Sequence, residues 1–287
     1  MKPLAGINVL DFSQFLSGPS AALRLADLGA NVTKIENPAG GDICRSLYLS
    51  EWQIDGESAL FHAINRNKKS ITVDLKESTA RAALRPLIEQ ADVVIFNYRP
   101  GVTQRLGLDY ASLKALNPGL IYGEISGYGE RGPWVSRPGQ DLLVQALSGI
   151  GYLNGNADQP PLPLGLSVSD VFAGDYLVQG IMAGLVQRSA TGGGCLVQVS
   201  LLDTLLDLQF EVLTTWLNDG QQDPVRSAVN NANAYIAAPY GIYPTADGFL
   251  ALAMTPLPRL GELLGCPALT AFSDPQSAFD RRDEIKT

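Results

Sequence analysis

One carboxylate, Asp170, interrupts the stretch PLGLSVSDVFAGDYLVQGIMAGLVQR (163–188), between an apolar segment and a long helical pattern. Two chemistries fit an acid in that place. As a helix cap, Asp accepts backbone N–H bonds and matches the helix dipole. As a nucleophile, an ionised carboxylate aimed past the helix end attacks an acyl carbon. The helix start is expected to lower the pKa of Asp170. Spacing alone leaves both roles open. A second candidate is Asn97-Tyr98-Arg99-Pro100-Gly101, just past the strand pattern DVVIFN. It joins an aromatic face to amide and guanidinium donors, the groups that hold a flat base and a phosphate; the plainer alternative is a surface turn.

Other patterns exclude more than they suggest. GYGERG (127–132) has dinucleotide-site spacing and follows a strand, but Pro133-Trp134 comes next instead of a helix, and no acid stands at the required distance. A Rossmann-type cofactor site, and with it a generic dehydrogenase, is not expected. TGGG (191–194) lacks the Lys-Ser/Thr of a phosphate loop. His62 is the one histidine. A Ser–His–Asp triad therefore has no second candidate, a multi-histidine metal site is impossible, and no metal is expected. Cys44, Cys195 and Cys266 are odd in number and far apart, which suits a reducing cytoplasm.

The elements that must position these residues alternate. Ile7–Ser13, Asn31–Glu36, Ser70–Lys76, Asp92–Asn97, Gly119–Ser126 and Cys195–Leu201 read as strands. Ser20–Leu28 and Thr79–Gln90 have helical spacing, as do DLLVQALSGIGYL from Asp141, the run after Asp170, and Leu202–Asn218. Such alternation predicts an α/β fold, a parallel sheet with helices on its faces. Residues 219–234 are polar and rich in turn formers, so they read as a linker. Two strands around Ala246-Asp247-Gly248 then open a smaller domain. The expected division is a large domain over 1–218, a linker over 219–234 and the start of a small domain over 235–287.

The net charge of −8 argues against nucleic acid, so an anionic ligand must be met by a local cluster of donors. No run of apolar residues is long enough for a membrane span, and the N-terminus lacks the pattern of a secretory signal.

Several stretches, in one order and spacing, resemble the family III CoA-transferases, the group of formyl-CoA transferase, carnitine CoA-transferase and the α-methylacyl-CoA racemases. They are GINVLDFSQFLSGP, LADLGANVTKIENPAGGD, NRNKKSITVDLK, NYRPG, GYGERGPW, the segment around Gln140-Asp141, SVSDVFAG and RSATGGGCLVQVSLLD. The resemblance implies a Rossmann-like large domain, a smaller α+β domain and an interlocked dimer of ring-like chains. It implies that Asp170 is the nucleophile, carrying first an acyl group as an anhydride and then CoA as a thioester. It also implies that CoA, arriving as acyl-CoA substrate, is held by Val73, Lys76, Asn97, Tyr98, Arg105 and Leu106. Leu16, Tyr48, Trp52 and Gln140 are expected to line the pocket for the acid. Three departures stand out. Gln140 occupies the position of the racemases' histidine, so a racemase or isomerase is the lesser alternative. Leu16 replaces a glutamine, and Asn37 an arginine, of the formyl-CoA enzyme. Family members are longer, so the resemblance implies a chain that ends inside the small domain, and the remaining alternative is an inactive CoA-binding remnant.

Overall fold

A computed structural model describes residues 2–47 and 52–287. The elements of its first unit are β1 (Asn8–Asp11), α1 (Ser17–Asp27), β2 (Asn31–Glu36), β3 (Gln53–Ile54), β4 (Glu57–Ser58), α2 (Ala59–Asn65), β5 (Lys69–Thr72), α3 (Ser78–Ala83), α4 (Arg85–Gln90), β6 (Val93–Phe96), α5 (Val102–Leu106), α6 (Tyr110–Leu116), β7 (Ile121–Ser126), α7 (Asp141–Ser148), α8 (Val168–Thr191), β8 (Leu196–Ser200) and α9 (Leu201–Leu208). Six strands pair in parallel in the order β5-β2-β1-β6-β7-β8. The order reverses between β1 and β6. In open α/β sheets the crevice outside the carboxyl ends at such a reversal is where ligands bind.

Both faces of the sheet are covered, which is why VVIF of β6 is wholly buried. On one face Leu10, Phe12, Ile35, Val94, Phe96 and Tyr122 pack with Leu84, Ile88, Leu108 and Leu113. Phe96 stacks on Phe12 at 4.5 Å and on Tyr122 at 5.1 Å between ring centres. The other face carries α1 and α8. Along α8 the buried residues Ala173, Leu177, Ile181 and Gly184 form one stripe. Gly123 of β7 leaves room for Leu177 and Ile181, to which an added Cβ would stand 3.1 Å and 3.4 Å away.

Local chemistry breaks three expected elements. The Thr79–Gln90 helix is two short helices, because Pro86 removes a backbone donor at the start of α4. The strand after Ser70 ends at Thr72, where pairing with β2 stops at Glu36. Leu202–Asn218 is likewise split at Gln209 into α9 and α10 (Phe210–Asn218).

The division into units also differs from the expected one. The first unit comprises Met1–Val144 and Ser167–Leu205; the second, Gln145–Leu166 and Leu206–Thr287. Residues 219–234 are not a free linker but are tied into the second unit. Arg226 donates to the carbonyls of Asn154 (2.6 Å) and Gln159 (2.7 Å), and Ala157 N–H donates to Ser227 O (2.9 Å). The second unit adds the antiparallel pair β9 (Gly241–Pro244) and β10 (Phe249–Leu252), joined as the turn residues predict, and α11 (Leu257–Leu264), whose Leu257 and Leu260 pack with Phe272 and Ala278. Among the described residues no helix is long and apolar enough to cross a membrane.

Candidate active site

The carboxyl ends of β1, β2, β5, β6 and β7 open into a cavity of about 960 Å³ within the first unit. That is the size of a cofactor or drug-like ligand site. Asp170 lines it, in the first turn of α8. It is not the cap of that helix. The N-cap is Ser167, whose side chain makes no capping bond. The helix start is instead closed by Asp141, whose Oδ1 accepts both the main-chain N–H and the hydroxyl of Ser169, each at 2.7 Å.

The pKa expected for Asp170 is also corrected. Burial of the carboxyl, with the Asp141 charge beside it, raises its pKa to about 6; a hydrogen bond from the Ser17 hydroxyl works the other way and does not offset them. Poor solvation and a like charge outweigh the helix dipole here. An ionised Asp170 is thus a carboxylate with little stabilisation from water, which makes it more nucleophilic than an exposed one. Cys44 is no rival nucleophile. Burial and the nearby Asp42 push its thiol up to about 12, so it is a neutral S–H group at physiological pH.

Four cationic side chains line the same cavity: Lys76, Arg99, Arg105 and Arg137. Val73, Tyr98 and Leu106 join them in its wall, and Tyr98 packs edge-on against Phe96 at 5.7 Å. The predicted residues of TVDLK, NYRPG and QRLG are therefore brought together. Asn97 lines the cavity too, but its amide is already engaged. Its Oδ1 accepts from Gln14 N–H (2.9 Å) and its Nδ2 donates to Gln14 O (2.6 Å). These two bonds fix the β1–α1 turn.

Of the four residues expected in the acid pocket, Gln140 lines the cavity. Leu16 turns away and packs on Cys44, Phe61 and Ile64, leaving Phe15 to face the cavity. Trp52 is 72% exposed and lies outside the wall. Tyr48 lies outside the described residues. Sequence reasoning missed Phe15, Ser17 and Arg137. Arg137 sits over the Trp134 ring at 4.6 Å. Nothing local in the sequence marks the RPG run around it as part of the cavity. The first glycine of GYGERG serves packing: Gly127 and Gly139 meet back to back, and a Cβ on Gly127 would stand 2.6 Å from the Gly139 Cα. No group of acids, cysteines and histidine fit to hold a metal occurs among the described residues.

Fold and site define an α/β protein with a nucleotide-sized cleft, lined by four cationic side chains and holding the carboxylate of Asp170 at a helix start. The chain belongs to the CoA-transferase family III, whose model matches residues 4–287. It is 40% identical over 279 residues to the succinate–glutarate CoA-transferase of Agrobacterium fabrum, covering 93% of this chain and 68% of that protein. It is 36% identical over 255 residues to the succinyl-CoA:glutarate CoA-transferase of Mus musculus, covering 88% of this chain but 56% of the mouse protein. Among solved structures, a CAIB/BAIF family protein from Brucella suis superposes with a TM-score of 0.85 at 34% identity, over 99% of this chain and 76% of that one.

Proposed function

We propose that this protein moves CoA between an acyl-CoA and a free carboxylic acid, with Asp170 as the covalent carrier. The observation that carries this reading is the place of Asp170 in the wall of a cavity that Lys76, Arg99, Arg105 and Arg137 also line. The Asp170 carboxylate attacks the thioester carbonyl, forming an aspartyl–acyl anhydride and releasing CoA thiolate. The thiolate attacks the aspartyl carbonyl, freeing the first acid as its carboxylate and leaving an aspartyl–CoA thioester. An incoming carboxylate attacks that thioester, and the released thiolate then takes its acyl group, regenerating Asp170. The thioester bond energy is conserved through each exchange, so no ATP is consumed. The Ser17 hydroxyl orients the attacking carboxylate. Main-chain N–H groups near the start of α8 supply donors for the oxyanions.

Lys76, Arg99, Arg105 and the Tyr98 ring suit the phosphates and base of CoA. The relatives named above act on succinate and glutarate, and Arg137 supplies a cation that suits the far carboxylate of such an acid. Dicarboxylic acids are therefore the proposed substrate class, with a homodimer in the cytoplasm as the setting the family implies.

The test is intact-protein mass spectrometry after incubation with succinyl-CoA. An acyl or CoA adduct released by hydroxylamine, on the peptide holding Asp170, is the expected result. No adduct from folded protein across several acyl-CoAs would overturn the proposal. The adduct rate should also follow the Asp170 ionisation. The carboxylate form reacts, so the rate is expected to hold above pH 6 and to fall about tenfold per unit below it; an ordinary carboxylate would hold its rate to about pH 4. Arg105→Ala is expected to weaken CoA binding about tenfold, the worth of one charge-assisted phosphate contact, as read by titration calorimetry.

A further inference from the structure

Between β1 and α1, three consecutive residues have every main-chain polar group bound by a side chain. Ser13 N–H donates to Asp11 Oδ1 (3.0 Å), and its carbonyl accepts from Lys34 Nζ (2.8 Å). Gln14 pairs both ways with Asn97. Phe15 N–H donates to Asp42 Oδ1 (3.1 Å), and its carbonyl accepts the neutral Cys44 thiol (3.3 Å). An ordinary surface turn leaves such groups to water. Phe15 is moreover held at φ 69°, a left-handed conformation that a bulky L-residue adopts only where its surroundings impose it.

Asp42 is the group that imposes it. Its Oδ1 takes the N–H of both Phe15 and Cys44 (3.0 Å), and its Oδ2 pairs with Lys34 Nζ at 2.8 Å. Its own N–H donates to Glu36 Oε2 (2.9 Å), and Glu36 is clamped by Arg45 at 2.7 Å and 2.6 Å. Lys34 is buried and lies 3.7 Å from Asp11, which in turn pairs with Lys68 at 2.9 Å. Two acids and two bases thus balance in the interior, behind the cavity wall. Asp42 does not line the cavity. Two residues beyond Phe15 stands Ser17, which lines the cavity together with Asp170; its hydroxyl oxygen accepts from Asn97 Nδ2 (3.4 Å), the same amide that pairs with Gln14.

We propose that Asp42, charge-balanced by Lys34, is a positioning residue for the nucleophile: it locks residues 13–15 so that Ser17 stays on the Asp170 carboxylate. This rests on Asp170 being the reacting group. Removing the lock loses the aim of the carboxylate and not the fit of CoA. Asp42→Ala is expected to slow adduct formation at saturating succinyl-CoA about 100-fold, the cost of an ångström-scale misplacement. The half-saturating concentration should stay within about twofold of wild type. Asp42→Asn keeps an oxygen for the Phe15 N–H and should recover at least about tenfold of the lost rate. Asp42→Ala combined with Ser17→Ala should fall no further than the slower single variant, because both act on one contact.

A wild-type rate in Asp42→Ala, a loss confined to half-saturation, or losses that multiply in the double variant would each overturn the proposal. Hydrogen exchange on the wild-type protein reads the lock without any variant or substrate. The Phe15 amide should exchange far more slowly than the amide of Gly40 in the exposed turn before Asp42, and comparable exchange would overturn the lock. Should Asp42→Ala fail to fold, Asp42→Asn with and without Ser17→Ala, together with the exchange result, decides the matter. Absence of any wild-type adduct would overturn the assignment of Asp170 instead, while slow Phe15 exchange would still report an intact lock.

Discussion

Asp170→Asn is expected to abolish the covalent adduct and, at neutral pH, to make the protein more stable. The first effect follows from chemistry: an amide does not attack a thioester, so the loss should be on the order of 10⁴-fold or more. The second follows from linkage. The Asp170 carboxyl has its pKa raised to about 6 in the fold, by burial first and by Asp141 second. In the unfolded chain it titrates near the ordinary value of about 3.9. Between those values the folded state binds the extra proton, so stability falls as pH rises through the window. Above pH 6 the ionised carboxylate costs the fold at most about 3 kcal/mol. Asparagine carries no charge, keeps an oxygen for the Ser17 hydroxyl and avoids that cost. Denaturant midpoints should therefore favour Asp170→Asn at pH 8 and converge with wild type at pH 4. Equal midpoints at pH 8 would show that Asp170 is well solvated.

Gly174→Ala is expected to damage both the fold and the chemistry, although it lies a full turn beyond Asp170. At Gly174, α8 crosses α1. An added Cβ would stand 2.3 Å from Ser20 Oγ, 2.9 Å from the Ser17 carbonyl oxygen and 3.3 Å from the Ala21 nitrogen. A hydroxyl can rotate away, but two main-chain atoms cannot, so the helices must part. Overpacking of this kind costs about 1–3 kcal/mol, against which alanine returns about 1 kcal/mol of helix propensity. The larger loss is geometric. Ser17 is the first residue of α1, so parting the helices carries its hydroxyl off Asp170, and adduct formation should drop about 100-fold. Gly180→Ala is the control on the same helix. Its nearest obstacle is the Val197 side chain, a methyl at 2.3 Å that can repack, and near-normal chemistry is expected. Equal damage from both substitutions would mean that α8 tolerates no added bulk anywhere, and would remove the special role of the crossing.

Much of the sheet was legible because strand patterns and their turn residues are local. Asn31–Glu36 is read to the residue, and the hairpin around Asp247 follows from its turn chemistry. The helix breaks were less so. Pro86 announces one, whereas nothing in the composition of Leu202–Asn218 marks Gln209. The candidate site divides along the same line. Asp170, Tyr98 and Arg105 fall in short motifs that a sequence can display. The features that tune them join residues far apart along the chain. Ser17 is 153 positions from Asp170, Asp141 meets Ser169 across 28, and Asn97 meets Gln14 across 83. Asp170 looks like a cap in sequence because its helix does need one. The structure gives that task to a carboxylate at the start of another helix, Asp141 of α7, which also supplies the like charge that raises the Asp170 pKa.

The Asn97 amide offers Gln14 one acceptor and one donor, as a neighbouring strand would. Phe12 N–H already donates to Ile95 O at 2.9 Å, so this pair adds one more rung to the β1–β6 ladder beyond the point where both strands have ended. That rung lies across the opening where a sheet of this order commonly admits a pyrophosphate. The doorway is bolted from inside by a side chain. In the reading proposed above, the nucleotide of CoA then settles on the outer flank, among Lys76, Tyr98 and Arg105, with its tail reaching back over the bolt toward α8. That reading sends head and tail of a long ligand to separate addresses on one scaffold.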